Sequence, residues 1–548
     1  MFDLSKIDWS ILDLSTLDLA SVPETQWKAL LALAVAAIAW RGLRRASAKT
    51  SNTLANVHGP GGASFLQGHY SLLFNNDAWS YHRSLAQQHG RAFRVKGTFG
   101  QDVLYTYDPK AMHHILLKDQ HMYEEPEVFS SNATVTFGPG VLSVVGDRHR
   151  KQRKMLNPVF SVTHLRHMVP TFFGVAKQLG DTFMKKASKG PQEIDMVTWM
   201  TRAALEIVAQ SGLGTSFSPV TEEHPEHSFI TAVKELGPLM TVLLLPRLLV
   251  VPPVFKYNLG GAWLQRLVVN LVPWKAVHQM RDVIDTMHQT SLDIFEQKRN
   301  ALAQDDSDVE QRQDIMSILM RENKKASLED RLSDAEVLGQ MSIHQDVQSK
   351  LRAELREAYE NFGDEPDHDQ LVGLPYLDAV CRETLRLFPP VATILRETQV
   401  DAMLPFSTPV KGSKNEEMSE VLIPRGSAIL ISILASNTDP EIWGSDSYEW
   451  KPERWLSPHP KAVTDAHIPG VYSNLMTFSG GGRSCIGFKF SQLEMKVILY
   501  TLIRQLQFSL PEQKIYWQMT VISSPTIDPT LSDLRPQMPL LVSLAEES

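Results

Sequence analysis

The chain has 548 residues, 43% of them apolar and 21% charged, with a formal net charge of −8. Such a composition belongs to globular proteins rather than disordered ones, and so mild an acidity gives no case for nucleic-acid binding. Two cysteines, Cys381 and Cys485, cannot build a disulfide framework, so the folded part is expected in a reducing compartment.

In chain order, residues 1–28 form an acidic head containing the short imperfect repeat LDLSTLDLAS. Residues 29–40, ALLALAVAAIAW, are uncharged and almost wholly apolar, and Arg41, Arg44, Arg45 and Lys49 follow at once. Residues 29–45 are expected to anchor the chain in a membrane, although twelve apolar residues are short for a full span. A secretory signal would carry its positive charge before the apolar run, not after it. The observed order turns the body toward the cytosol. Residues 46–57 read as a polar linker, and the turn cluster HGPGG at 58–62 as the start of a single large body, 58–548.

Within that body helical periodicity dominates, with candidates at 77–90, 163–189, 197–211 and 277–299. Strand-like runs are fewer, at 92–95, 103–107 and 428–433. The fold class is mainly α with small β-sheets. Residues 236–255, LGPLMTVLLLPRLLVVPPVF, are very apolar but broken by prolines, and read as a buried helix pair rather than a span. A surface dipping into lipid, or the wall of an apolar entrance, is the sharper alternative.

The stretch FSGGGRSCIG, 478–487, sets Cys485 in a glycine-rich loop beside Arg483, ahead of an amphipathic helix. A nucleophilic thiol needs an adjacent base, yet His467 is the nearest preceding histidine and none follows. A structural zinc site needs more ligands at short spacing. A buried inert thiol is possible anywhere, whereas a helix N-terminus and an arginine both favour thiolate. Thiolate-ligated haem fits: sulfur to iron, guanidinium to propionate.

This stretch resembles the haem-binding signature of the cytochrome P450 family, Phe-x-x-Gly-x-Arg-x-Cys-x-Gly, through Phe478, Gly481, Arg483, Cys485 and Gly487. Five such matches arise by chance roughly once in ten thousand chains of this length. The residues ETLR, Glu383 to Arg386, resemble the family's Glu-x-x-Arg, and PERW, Pro452 to Trp455, the segment whose arginine closes a Glu–Arg–Arg cluster. Alone, Glu-x-x-Arg is an ordinary helix-surface pair. The resemblance makes Glu383, Arg386 and Arg454 fold determinants rather than catalysts.

Residues 146–161, GDRHRKQRKMLNPVFS, resemble the family's C helix, with His149 standing where tryptophan is usual and Arg153 four residues on. The resemblance implies that His149, Arg153, Arg396 and Arg483 face the haem propionates. It also implies that the basic run Arg148 to Lys154 receives an acidic electron-donating flavoprotein. Cys381 falls in the Glu-x-x-Arg helix and reads as a buried structural thiol.

One family feature is absent from the sequence. The oxygen-activating helix with its Gly-x-Asp/Glu-Thr motif belongs between 325 and Glu383, but that interval holds no such motif and no threonine. Residues 332–341 look like the start of that helix and 344–357 like the next helix, with the joint near Ser342–Ile343. About 25–30 residues are missing against the family, since a core-crossing helix must be apolar around most of its girth and this stretch is polar. His344 beside the joint is not expected to be catalytic.

The resemblance implies a microsomal, fungal-like cytochrome P450 fold on the cytosolic face of the endoplasmic reticulum membrane. It implies haem b as cofactor, with Cys485 as the axial iron ligand and NADPH–cytochrome P450 reductase, membrane lipid and a small apolar substrate as partners. The reaction implied is insertion of one oxygen atom of dioxygen, impaired by the missing segment. A haem-binding protein without turnover, or a peroxide-using isomerase or dehydratase, are the alternatives.

Overall fold

The computed structural model describes residues 53–75, 78–222, 224, 227–257, 260–304, 345–519, 522–529 and 535–546. The chain divides into two compact units, 1–51 and 52–548. The first unit, with the expected anchor at 29–45, lies outside the described residues. So do the joint at Ser342–Ile343 and His344. Leu54 and Val57 are buried, and Val57 bridges to Gly412. Part of the expected linker therefore already packs into the body.

The expected helices are present with shifted ends. They are α1 (Trp79–His89), α4 (Val162–Ala187), α5 (Met196–Val208) and α10 (Lys275–Gln304). Between the first two lie α2 (Glu127–Phe137) and α3 (Gly146–Leu156). Helix α4 starts where the Ser161 hydroxyl accepts the His164 amide, a side-chain cap. Leu165, Met168, Phe172, Phe173, Ala176, Leu179 and Phe183 recur at helical spacing along its buried face.

That face packs on α13 (Phe488–Gln505), where the Phe172 ring lies edge-on to Phe490 and the Phe173 ring edge-on to Tyr500. Helix α13 is not the amphipathic helix expected. It is buried on every side from Leu493 to Ile503, and its buried Lys496 ammonium is neutralised by Asp378 at 2.7 Å. A buried charge that survives must be paired in this way. Helices α11 (Gln345–Phe362) and α12 (Pro375–Leu387) complete the wall behind α13, and Cys381 is fully buried in α12 as expected.

A five-stranded sheet of order β1-β2-β8-β5-β3 stands beside this bundle. Its strands are β1 (Ala92–Lys96), β2 (Asp102–Thr106), β3 (Tyr123–Glu124), β5 (Thr393–Thr398) and β8 (Ala428–Ser432), while β4 (Gln192–Asp195), β6 (Ala402–Lys411) and β7 (Glu417–Ile423) belong to smaller sheets. The expected strands were read within one or two residues. The pairing of β3 with β5 aligns Glu124 with Glu397, so the chain just past β3 arrives next to Arg396.

Residues 228–256 correct another expectation. They form three helices, α6 (Ser228–Val242), α7 (Leu244–Leu249) and α8 (Val251–Lys256), not a buried pair. Val242, Leu244, Val250 and Phe255 are exposed, and the following α9 (Ala262–Leu271) buries no residue at all, leaving Trp263 67% exposed. Among the described residues no single helix is long and apolar enough to cross a membrane. Only the pair Ser228–Val242 and Pro246–Lys256, bent by 74°, reaches that length and composition together.

Candidate functional site: a thiol loop ringed by guanidinium groups

The loop before α13 is fixed by its own backbone and by α12. The Cys485 amide donates to the Phe478 carbonyl at 2.9 Å, and Phe478 is buried against Tyr472 and Phe488. Asn437 accepts the Met476 amide and donates to Thr477, whose hydroxyl reaches the Leu385 carbonyl at 2.7 Å. Gly487 is the N-cap of α13, so Cys485 stands two residues ahead of the cap rather than on the helix's first turn. The thiol is half-buried and in no disulfide.

Two of the loop's glycines sit hard against neighbouring backbone. Gly481 has φ +72, and a Cβ there would lie 1.8 Å from the Leu116 carbonyl oxygen. A Cβ on Gly480 would lie 2.1 Å from that of Pro469.

Two charged clusters flank this loop. In the first, Arg386 donates to both oxygens of Glu383 at 2.8 and 2.9 Å and to the carbonyls of Asn437, Ser447 and Glu449. Glu383 also accepts the Trp455 indole at 2.9 Å, the Lys451 amide at 2.9 Å and Arg454 Nε at 3.4 Å. Arg454 is in turn held by Asp446 and the Trp443 carbonyl. Glu383 and Arg386 are completely buried, so every lone pair and N–H must find a partner, and the cluster supplies them. Glu383, Arg386 and Arg454 do come together. Trp455 is a member that the sequence reading missed.

The second cluster gathers His149, Arg153, Arg396 and Arg483. Arg483 donates to the Val144 carbonyl at 2.7 Å and the Val141 carbonyl at 3.4 Å, and its Nη1 lies 2.9 Å from Glu125 Oε2. Arg396 donates to its neighbour's carbonyl, Leu395, at 2.7 Å and stands 3.8 Å from Glu125. Arg153 reaches across from α3 to the Ser484 carbonyl, which ties α3 to the cysteine loop.

His149 and Arg153 lie four residues apart on the inner face of α3, while Arg148, Arg150, Lys151 and Lys154 lie exposed on its outer face. Burial, with Arg483, Arg153 and Arg396 close by, pushes the His149 imidazole down to about 4, so it is neutral at pH 7. Burial likewise lowers Arg396, against the pull of Glu125, and raises Glu125 against the pull of Arg396 and Arg483. The members missed from sequence are Glu124, Glu125 and Ser484. Glu124 at the end of a short edge strand and Glu125 just past it carry no local signal of pairing with arginines so far along the chain.

A cysteine in no disulfide, on a rigid loop where Arg153, Arg396 and Arg483 outnumber Glu124 and Glu125, suits an anionic metal cofactor bound through sulfur. This donor set fits an iron porphyrin: one soft ligand, and guanidinium groups at carboxylate-binding positions. Among the described residues no group of three His, Cys, Asp or Glu side chains converges as a metal ion held by protein alone would need.

The comparisons with known proteins agree with this class. The cytochrome P450 family model matches residues 59–343 and 336–525, and the chain belongs to the cytochrome P450 family. Cytochrome P450 monooxygenase 81 of Postia placenta is 42% identical over 92% of this chain and 95% of its own length. Ganoderic acid synthetase CYP5150L8 of Ganoderma lucidum is 41% identical over 89% and 94%. The crystal structure of the cytochrome P450 CYP102L1 superposes with a TM-score of 0.64 over 89% of this chain and 99% of that one, at 20% identity, and shows the shared fold. Proteins of this family bind haem b through a thiolate.

Proposed function

We propose that the Cys485 thiolate would hold the iron of haem b in a monooxygenase that oxidises a small apolar organic substrate. The carrying observation is the gathering of Arg153, Arg396 and Arg483 about the loop of a cysteine that is in no disulfide. Haem b, when bound, supplies the iron that activates dioxygen.

The chain's own residues do the rest. Arg153, Arg396 and Arg483 bind the propionates as charge-assisted partners, and neutral His149 adds one N–H donor without adding charge. The hydrogen bonds to Phe478 and the Asn437–Thr477–Leu385 relay hold the sulfur's loop to α12. The exposed cations Arg148, Arg150, Lys151 and Lys154 steer an acidic partner, which we take to be NADPH–cytochrome P450 reductase. The apolar surface of α6 to α9, together with residues 29–45, supports residence on the cytosolic face of the endoplasmic reticulum membrane.

Coupled oxygen insertion is impaired in this chain. No acid–threonine pair exists between 325 and Glu383 to pass protons, and the family match comes in two pieces that meet at 336–343. Names of the relatives speak for a monooxygenase lineage and do not favour a peroxide-using isomerase or dehydratase.

The test is a reduced carbon-monoxide difference spectrum of the full chain, followed by NADPH-dependent product formation with a fungal reductase. The expected result is a thiolate-type spectrum, lost in Cys485→His, with little or no coupled product. Absence of the thiolate spectrum in haem-loaded protein sinks the ligand assignment, and tightly coupled turnover sinks the impairment.

A further inference from the structure

We infer that Glu125 is an internal counter-anion for Arg396 and Arg483, a carboxylate of the chain itself that holds both guanidinium groups in place until the haem carboxylates take them over. The inference rests on the haem reading above.

Glu125 lies in the short connection between β3 and α2, both of which begin or end on an acid, Glu124 and Glu127. Glu127 turns away to Lys256 at 3.0 Å. Glu125 turns inward. One of its oxygens lies 2.9 Å from Arg483 Nη1 and the other 3.8 Å from Arg396 Nη1, and Glu124 stands 3.7 Å from Arg483 Nη2. The 2.9 Å contact is an ion pair without a well-directed hydrogen bond, because Glu125 Oε2 accepts none despite being buried. It differs from the two-pronged Glu383–Arg386 bridge, where both oxygens are taken at good geometry.

A poorly directed contact is one that a better-shaped carboxylate can displace. Charge counting points the same way. Arg396 and Arg483 pair with Glu124 and Glu125, Arg153 on α3 adds a third guanidinium held by the Ser484 carbonyl, and His149 is neutral. Two propionates would bring the carboxylates to four against three guanidinium groups, and like charges so close oppose one another. Glu125 therefore steadies the empty site and resists the filled one. It is a positioning residue.

The experiment uses the full chain and Glu125→Gln, which keeps shape and removes charge. Thermal melting of the apoprotein is read in sodium chloride and in sodium propionate at equal ionic strength, and haem affinity by Soret titration. In chloride the variant is expected to melt about 2–4 °C below wild type. Propionate is expected to restore it while leaving wild type unmoved. Haem is expected to bind the variant about fivefold more tightly, since the chain's carboxylate and the cofactor's compete for one site.

Equal melting of variant and wild type in chloride overturns the inference, as does a deficit that propionate leaves unchanged. So does haem binding weakened in step with the melting loss, the signature of a permanent bridge. If Glu125→Gln yields no folded protein, adding Arg396→Leu must restore folding, and failure to do so also overturns it. Rescue by propionate with no haem uptake by either protein would sink the haem reading while leaving the role of Glu125 in the empty site standing.

Discussion

The two arginine clusters beside the cysteine loop are built from the same residue types and do opposite things. Around Glu383 every charged group is matched, each guanidinium ends on a carboxylate or a carbonyl, and nothing is left to bind. Around Glu125 the guanidinium groups end on backbone carbonyls and on a carboxylate oxygen that accepts no well-directed hydrogen bond, and both Arg396 and His149 are pushed toward their neutral forms. Saturation separates a structural cluster from a receptive one: the first has used its electrostatic capacity on the fold, while the second holds it in reserve for a ligand.

Breaking the saturated cluster should have the largest effect. Glu383→Ala strands Arg386 in the interior and is expected to cost about 3–5 kcal/mol. Urea unfolding or soluble yield checks it, and a variant of wild-type stability would show that the cluster is dispensable.

Arg396→Leu tests the receptive cluster from the other side. Removing a buried, imperfectly paired cation should leave the apoprotein's melting unchanged or higher, while haem affinity falls roughly ten- to hundredfold, the loss of one charge-assisted contact. Parallel losses in both would make the two clusters alike and dissolve the distinction.

His149 gives a smaller effect with a defined pH window. Its folded-state pKa is depressed from 6.5 to about 4. The unfolded chain thus binds more protons between those values, so stability is full above pH 6.5 and declines as pH falls toward 4. On the order of 2 kcal/mol of the apoprotein's acid sensitivity should disappear in His149→Gln, read as the slope of melting temperature against pH.

The smallest structural effect is expected on the outer face of α3. Lys151→Glu with Lys154→Glu should change stability by no more than about 0.5 kcal/mol. The same pair of changes should slow reduction by the reductase several-fold at low salt and not at high salt, measured by stopped-flow reduction of haem-loaded protein.

The sequence carried much of this. Phe478, Arg483, Cys485, Glu383, Arg386 and Arg454 were legible because their spacing is rigid and their chemistry restrictive. The α3 face was legible because the i,i+4 rule puts His149 and Arg153 together. Other features were not, because they are made by distant partners. Glu125 meets Arg396 only through the pairing of β3 with β5. Helix α13 looked half-solvated because Glu494 and Lys496 mark a polar face, yet α12 brings Asp378 to Lys496 and seals it. The apolar run 236–255 looked buried because hydropathy alone cannot tell a core from an exposed patch.

The tight seating of Gly480 and Gly481 has a genetic consequence. Any side chain at either position meets a backbone carbonyl at about 2 Å, and nothing flexible stands in the way to yield. Every first- or second-base change in those two glycine codons that encodes another amino acid adds a Cβ. Such changes are expected to behave as null alleles whatever the polarity of the new residue, including the alanine substitutions that most scans treat as benign.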